Sequence, residues 1–150
     1  MQRVLNDGFA LDDDPARVDG AAVHAFITTS YWAEGRSREL MDELIATAAR
    51  VVGLYGPESE GGRQLGFARI VSDGQTVSYL ADVYVLEDVR GRGFGLELVR
   101  FAVDEGGLAD TKWILHTRDM QRLYEKVGFT GPGARTMERG RMARASRPPE

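Results

Sequence analysis

The spacing of apolar residues changes along the chain. Residues 9–11 form a short apolar run that predicts a strand, and Asp14-Pro15 predicts a turn or a helix start, because proline suits the first helical position. Residues 18–27 carry a weak helical pattern. A clearer helix is predicted after Ser37, a suitable cap, because the following apolar residues share one helical face: Leu40, Met41, Leu44, Ile45 and Ala48.

The middle of the chain has the composition of β-strands. Three runs are rich in β-branched and aromatic residues: 51–55, 64–71 and 76–86. The pair Asp73-Gly74 favours a tight hairpin turn, so the second and third strands are predicted to be antiparallel neighbours. Residues 80–86 are nearly all apolar, which is typical of a central strand covered on both faces.

The last third begins with a glycine-rich stretch and continues with helices and strands. Apolar residues on one face predict a helix that Gly106-Gly107 ends: Phe94, Leu98, Phe101 and Ala102. The remaining predicted elements are a strand over residues 113–117, a helix over 119–127 that Asp119 caps and Gly128 ends, and final strands near 129–130 and 136–138. This order predicts an α/β (α+β) fold with a mixed sheet and helices on both faces.

Composition narrows the class of protein. The 150 residues suit a single domain, expected over residues 1–142, followed by a basic tail over 143–150 that is expected to be disordered. The net charge of −4 and the pI of about 5.3 argue against nucleic acid as a partner. No apolar run suits a membrane span and the first residues do not resemble a signal peptide, so we expect no membrane partner and a cytoplasmic location. The absence of cysteine excludes disulfides, zinc-thiolate sites and a cysteinyl acyl-enzyme, and we expect no metal.

The most informative motif lies between the third strand run and the next helix: Arg90-Gly-Arg-Gly-Phe-Gly95. Glycine permits positive φ and a close approach of ligand to backbone, and a helix N-terminus presents unpaired N–H groups. Together they suit an anion, above all a phosphate, and the two arginines add donors. Neither the dinucleotide-binding pattern nor the P-loop pattern is satisfied, because the third glycine of the former and the Gly-Lys-Ser/Thr of the latter are missing.

Two motifs in the correct order resemble those of the GNAT superfamily of N-acetyltransferases. Residues 80–95 are similar to its motif A, which reads Arg/Gln-x-x-Gly-x-Gly/Ala after a strand, and Leu123-Tyr-Glu-Lys-Val-Gly-Phe129 is similar to its motif B. The element order from residue 51 to 129 also matches. The resemblance implies a mostly antiparallel GNAT-like sheet that splays open at its central strands.

The resemblance also implies acetyl-CoA as cosubstrate and assigns residues to it. The turn would hold the pyrophosphate of coenzyme A, through Arg90, Gly91, Arg92, Gly93, Phe94 and Gly95. The strand backbone would pair with the pantetheine arm, at Val83, Tyr84 and Val85. An N–H near Val83 would stabilise the oxyanion, and Tyr124, the motif B tyrosine, would protonate the departing thiolate.

The acceptor side is less defined. Asp82, the only charged residue of its strand, is a candidate for deprotonating the amine, with hydrogen bonding to backbone or Arg69 as the alternative. His116 stands where the family often carries asparagine; it is a candidate base or acceptor contact, with a packed core residue as the alternative. Tyr31 and Trp32 are expected to line an acceptor pocket, with core packing of Trp32 as the alternative.

These assignments predict direct transfer of an acetyl group to the amine of a small molecule in a ternary complex. The alternatives are a protein or peptide N-acetyltransferase, and a non-catalytic acyl-CoA-binding module of the same fold. The resemblance allows a homodimer, because members of the family often form dimers.

Overall fold

A computed structural model describes residues 1–140, and the expected tail over 143–150 lies outside this range. One six-stranded sheet has its strands in chain order. The strands are β1 (Gln2–Val4), β2 (Ala10–Asp12), β3 (Arg50–Tyr55), β4 (Gln64–Ser72), β5 (Val77–Val85) and β6 (Lys112–Ile114). Neighbours are antiparallel from β1 to β5, and β6 is parallel to β5, so the sheet is mixed and mostly antiparallel as predicted.

Four α-helices accompany the sheet. They are α1 (Gly20–Ile27), α2 (Arg38–Ala46), α3 (Phe94–Asp104) and α4 (Gln121–Glu125). The predicted cap of α2 is confirmed, because the Ser37 side chain accepts a hydrogen bond from the N–H of Leu40. The helices of residues 1–140 are all too short or too polar to cross a bilayer.

The helices cover both faces of the sheet, as predicted. On one face, α3 packs on inward-facing residues of the central strands such as Val52, Ile70 and Leu80. On the other face, α1 and α2 pack on alternate residues of the same strands, including Phe67 and Tyr84. The alternation follows from the period of two along a strand, so each central strand contributes to both cores.

The chain differs from the prediction at its ends. β1 was not predicted, because a strand of three mostly exposed residues shows no hydrophobic pattern in the sequence. The predicted final strands are wrong: residues 129–130 and 136–138 have no strand structure. α4 begins at Gln121 without a side-chain cap, so the predicted cap at Asp119 is wrong, whereas Gly128 has the expected positive φ of 88°.

Candidate active site

A β-bulge interrupts the pairing of β4 with β5. Phe67 lies opposite Tyr84 and Arg69 lies opposite Ala81, so Asp82 and Val83 face a single residue of β4. Asp82 has a φ of 52°, in the left-handed region where aspartate is one of the few tolerated residues. A bulge leaves backbone groups outside the ladder and re-aims the side chain beside it. Val83, the predicted oxyanion donor, lies within this bulge.

The carboxylate of Asp82 is held by two arginines. Its side chain is only 2% exposed, and Arg69 Nε donates to Oδ2 at 2.7 Å. Arg36 Nη1 lies 3.0 Å from both Oδ1 and Oδ2. These contacts match the alternative in which Asp82 bonds to Arg69, and they occupy both oxygens that a base would use.

Arg36 ties the loop between α1 and α2 to the bulge. Its backbone carbonyl contacts Nε2 of His24 at 2.9 Å, and its Nη1 also approaches the sulfur of Met41 at 3.6 Å. Because the same guanidinium binds Asp82, the loop that carries Tyr31 and Trp32 is anchored at its end to the centre of the sheet. The sequence prediction did not include this role for Arg36.

The sheet opens beside the bulge. β5 pairs with β6 over three residues only, the last pair being Tyr79 with Ile114, whereas β5 continues to Val85. From residue 80 onward no described strand pairs with the β6 side of β5, and we term this opening between β5 and the residues after β6 the cleft. Such an opening matches the splay implied by the family resemblance.

His116 bridges the cleft to both sides. Its Nδ1 is 2.8 Å from the hydroxyl of Tyr79, and its Nε2 contacts the carboxylate of Glu138. The side chain is 59% exposed, so the alternative of a packed core histidine is wrong. Its role as base or acceptor contact stays a prediction. Neither Tyr79 nor Glu138 was singled out from the sequence, because nothing in their local patterns distinguishes them.

The glycine-rich turn leaves the start of α3 uncapped. Gly93 is the N-cap residue with a φ of 82°, and no side chain caps the helix. Gly91 also has a positive φ, of 77°, and a Cβ on either glycine would meet nothing within 4 Å. The first turn of the helix therefore has no side-chain cap and follows an uncrowded glycine turn, the arrangement that a pyrophosphate needs. The residues present thus fit coenzyme A at this corner.

The two arginines of the turn make contacts within the protein. Arg90 Nε donates to the carbonyl oxygen of Val85 at 2.9 Å, which links the turn to the end of β5. The guanidinium of Arg92 lies over the rings of Phe9 and Phe94, 4.6 and 4.9 Å from their centroids. Backbone N–H groups are therefore the main candidates for holding phosphate, as the resemblance implies.

Tyr124 lies on α4 and packs edge-on against Phe129, with centroids 5.9 Å apart. Burial, with a smaller contribution from Tyr31, raises the pKa of Tyr124 to about 12. The phenol therefore keeps its proton at neutral pH, as an acid for a thiolate must.

Tyr31 and Trp32 are surface residues. They are 52% and 43% exposed, and their rings form an edge-to-face pair with centroids 5.2 Å apart. Arg118, from the loop before α4, stacks on the ring of Tyr31 at 3.9 Å. The alternative of core packing is therefore wrong for Trp32. The two aromatic rings remain predicted acceptor contacts on one side of the cleft.

No group of three or more His, Asp or Glu side chains within residues 1–140 is arranged to hold a metal ion. The polar groups of the cleft are instead paired with one another: Arg36 and Arg69 with Asp82, and Tyr79 and Glu138 with His116. The arrangement offers hydrogen-bond donors, a half-buried phenol and an uncapped helix start, which are parts that acyl transfer can use.

Comparison with known proteins identifies the class. The profile of the acetyltransferase (GNAT) domain matches residues 57–131. A GNAT-family protein from Xanthomonas campestris pv. campestris is 30% identical, with a TM-score of 0.80 over 88% of this chain and 92% of that chain. A protein from Deinococcus radiodurans R1, for which an acetyltransferase activity is suggested, is 25% identical, with a TM-score of 0.69 over 91% of this chain and 92% of that chain.

One further structure shows the breadth of the fold. Glucosamine-6-phosphate N-acetyltransferase from Arabidopsis thaliana is 14% identical, with a TM-score of 0.62 over 87% of this chain and 97% of that chain. No curated protein matches the chain in sequence. The domain match and the Xanthomonas structure together show that the chain belongs to the GNAT family of acetyltransferases.

Proposed function

We propose that the protein transfers an acetyl group from acetyl-CoA to the amine of a small molecule, by direct attack in a ternary complex. The observation that carries the proposal is the presence of three features on this fold: the uncapped start of α3, the bulge at Val83 beside the unpaired end of β5, and the half-buried Tyr124 on α4. Each supplies one requirement of thioester aminolysis, namely an anchor, an oxyanion donor and an acid.

Coenzyme A, when bound, supplies the acetyl group as a thioester. The N–H groups at the start of α3 hold its pyrophosphate, and the unpaired side of β5 at Val83, Tyr84 and Val85 receives its pantetheine arm. The N–H of Val83 donates to the carbonyl oxygen as the C–N bond forms. The hydroxyl of Tyr124 protonates the sulfur as the C–S bond breaks.

The attacking amine must lose a proton. Asp82 is poorly suited to accept it, because both of its oxygens already accept hydrogen bonds from guanidinium groups. We therefore assign the proton to water at the open side of the cleft, where the exposed His116 lies within reach of solvent. Transfer rates should then rise with pH as the acceptor amine becomes neutral.

A small acceptor is favoured over a protein by the paired contacts around the cleft. Arg36 holds the α1–α2 loop onto the bulge, and Arg118 stacks on Tyr31 of that loop. A peptide would need an open groove through this region. The Arabidopsis protein with the same fold is named glucosamine-6-phosphate N-acetyltransferase, after a small amino sugar. The fold is therefore compatible with small acceptors.

The test is acetyl transfer to a panel of amines, followed by thiol release and by mass analysis of the products. We expect turnover with at least one small amine and a fall in kcat for Tyr124→Phe. Binding of acetyl-CoA without turnover of any amine or peptide would support the non-catalytic module. Turnover of peptides alone would support a protein acceptor, and failure to bind acetyl-CoA would refute all three.

A further inference from the structure

The charges beside the bulge do not balance. Two guanidinium groups surround the single carboxylate of Asp82, and both arginines are largely buried, with side-chain exposures of 17% for Arg36 and 10% for Arg69. A cation away from water is costly unless an anion compensates it. The cluster formed by Arg36, Arg69 and Asp82 therefore carries one positive charge in excess.

Both arginines also have donors to spare. Arg69 binds Asp82 through Nε, and Arg36 through Nη1, so most of their N–H groups make no hydrogen bond to residues 1–140. None of these free nitrogens is among the buried polar atoms without a partner in that range. Neither side chain is completely covered, since 17% of Arg36 and 10% of Arg69 are exposed.

Arg69 lies on β4 opposite Ala81 of β5, directly beside the bulge. Asp82 is also the residue directly before Val83, where the thioester carbonyl is placed in the proposed function. An anion bound to the arginines would therefore lie next to the reacting amine.

We propose that the acceptor amine also carries a carboxylate, which Arg69 and Arg36 bind, so that the substrate class is the amino acids and related amino carboxylates. The inference rests on the proposed function. A carboxylate is planar and matches the forked donors of guanidinium, which bind it through two parallel hydrogen bonds. It also supplies the negative charge that the cluster lacks.

The first experiment compares amines that differ only in the carboxylate. The α-, β- and γ-amino acids are each assayed with acetyl-CoA against the matching carboxamide and the matching decarboxylated amine. The carboxamide has the least basic amine of the three and the decarboxylated compound the most basic, so a preference for the carboxylate over both cannot arise from amine basicity. We expect kcat/KM to be about 10- to 100-fold higher for the carboxylate at one of the spacings.

The second experiment changes the arginine. Arg69→Lys keeps the positive charge beside Asp82 but removes the forked donors. We expect a rise of about 10-fold in the KM for the amino carboxylate, little change in the KM for acetyl-CoA, and loss of the preference over the carboxamide. Arg38→Lys is the matched control, since Arg38 lies on the surface of α2 and pairs only with Asp42; it should keep both the KM and the preference.

The outcomes separate the two proposals. Acetyl transfer with equal or lower kcat/KM for the carboxylates overturns this inference and leaves the proposed function standing. Better transfer to an amine that carries a phosphate, such as phosphoethanolamine, overturns the assignment of a carboxylate. Failure of the wild-type protein to bind acetyl-CoA overturns the proposed function and this inference with it. If Arg69→Lys does not fold, the comparison of amines with the wild-type protein decides.

Discussion

Replacing Asp82 by asparagine removes one negative charge from between two guanidinium groups and changes little else. Asparagine has nearly the same shape and is also tolerated at a φ of 52°, so the bulge keeps its backbone conformation. It retains one acceptor oxygen. The variant Asp82→Asn therefore isolates the contribution of the charge in the cluster of Arg36, Arg69 and Asp82.

The expected loss is large because the carboxylate is almost fully buried. Removing one partner of a buried ion pair costs about 3–5 kcal/mol, and here two cations lose the same partner. Arg36 and Arg69 keep some contact with water, which places the expectation near the lower end, about 3 kcal/mol. For a chain of this length that corresponds to a fall in Tm of about 6–12 °C.

The measurement is urea denaturation of the wild-type and variant proteins, followed by circular dichroism. Asp42→Asn is the matched control, since its carboxylate pairs with Arg38 on the exposed face of α2 and should contribute less than about 0.5 kcal/mol. Asp82→Ala should lose about 1–2 kcal/mol more than Asp82→Asn, because alanine at positive φ adds backbone strain. A loss for Asp82→Asn as small as that of Asp42→Asn would refute the argument.

Three further predictions concern the proposed catalytic parts and the hairpin. Tyr124→Phe should lower kcat about 10- to 1000-fold without changing the KM for acetyl-CoA, and equal kcat for both proteins would remove Tyr124 from the mechanism. Since the pKa of Tyr124 is about 12, the kcat of the wild-type protein should show no decline from this group up to about pH 10. Gly93→Ala should weaken coenzyme A binding in calorimetry and cost about 1–2 kcal/mol of stability, because the φ of Gly93 is 82°. Gly95→Ala, within the helix, should have a smaller effect on both binding and stability. Equal effects of the two substitutions would contradict the assignment of the helix start. Hydrogen bonds from the Thr76 hydroxyl and nearby backbone N–H groups hold the pKa of Asp73 well below its ordinary value. The contribution of Asp73 to stability is therefore present at neutral pH and is lost as the pH falls below about 4. Asp73→Asn should flatten the dependence of Tm on pH in that range, and an unchanged dependence would argue against these hydrogen bonds.

Regular elements with a strong local pattern could be predicted from the sequence. The helix that starts at Phe94 was predicted because its apolar residues share one face. The antiparallel pair β4–β5 was predicted because both runs are rich in β-branched and aromatic residues and Asp73-Gly74 favours a turn between them. The final strands near residues 129–130 and 136–138 were wrong because two or three β-forming residues cannot specify pairing without a partner strand. Edge segments depend on tertiary contacts that the local pattern does not contain.

The candidate site was predictable where a motif marked it and not elsewhere. The glycines at 91 and 93 indicated the uncapped helix start, because both have the positive φ that glycine tolerates best. The charged Asp82 in an apolar strand correctly indicated a paired carboxylate, but its second partner, Arg36, is 46 residues away in sequence. Exposure of Trp32 and His116 could not be deduced either, since aromatic residues occur in cores and in clefts.

The guanidinium of Arg36 joins the α1–α2 loop to the strand that would receive the thioester. This link limits how freely the α1–α2 loop can be exchanged between proteins of the GNAT family. Grafting onto this scaffold a loop that lacks an arginine at this position, in order to alter the acceptor preference, would leave Asp82 with one cation fewer. A productive chimaera should therefore import the loop together with the residues at positions 69 and 82, so that loop and strand are inherited as one unit.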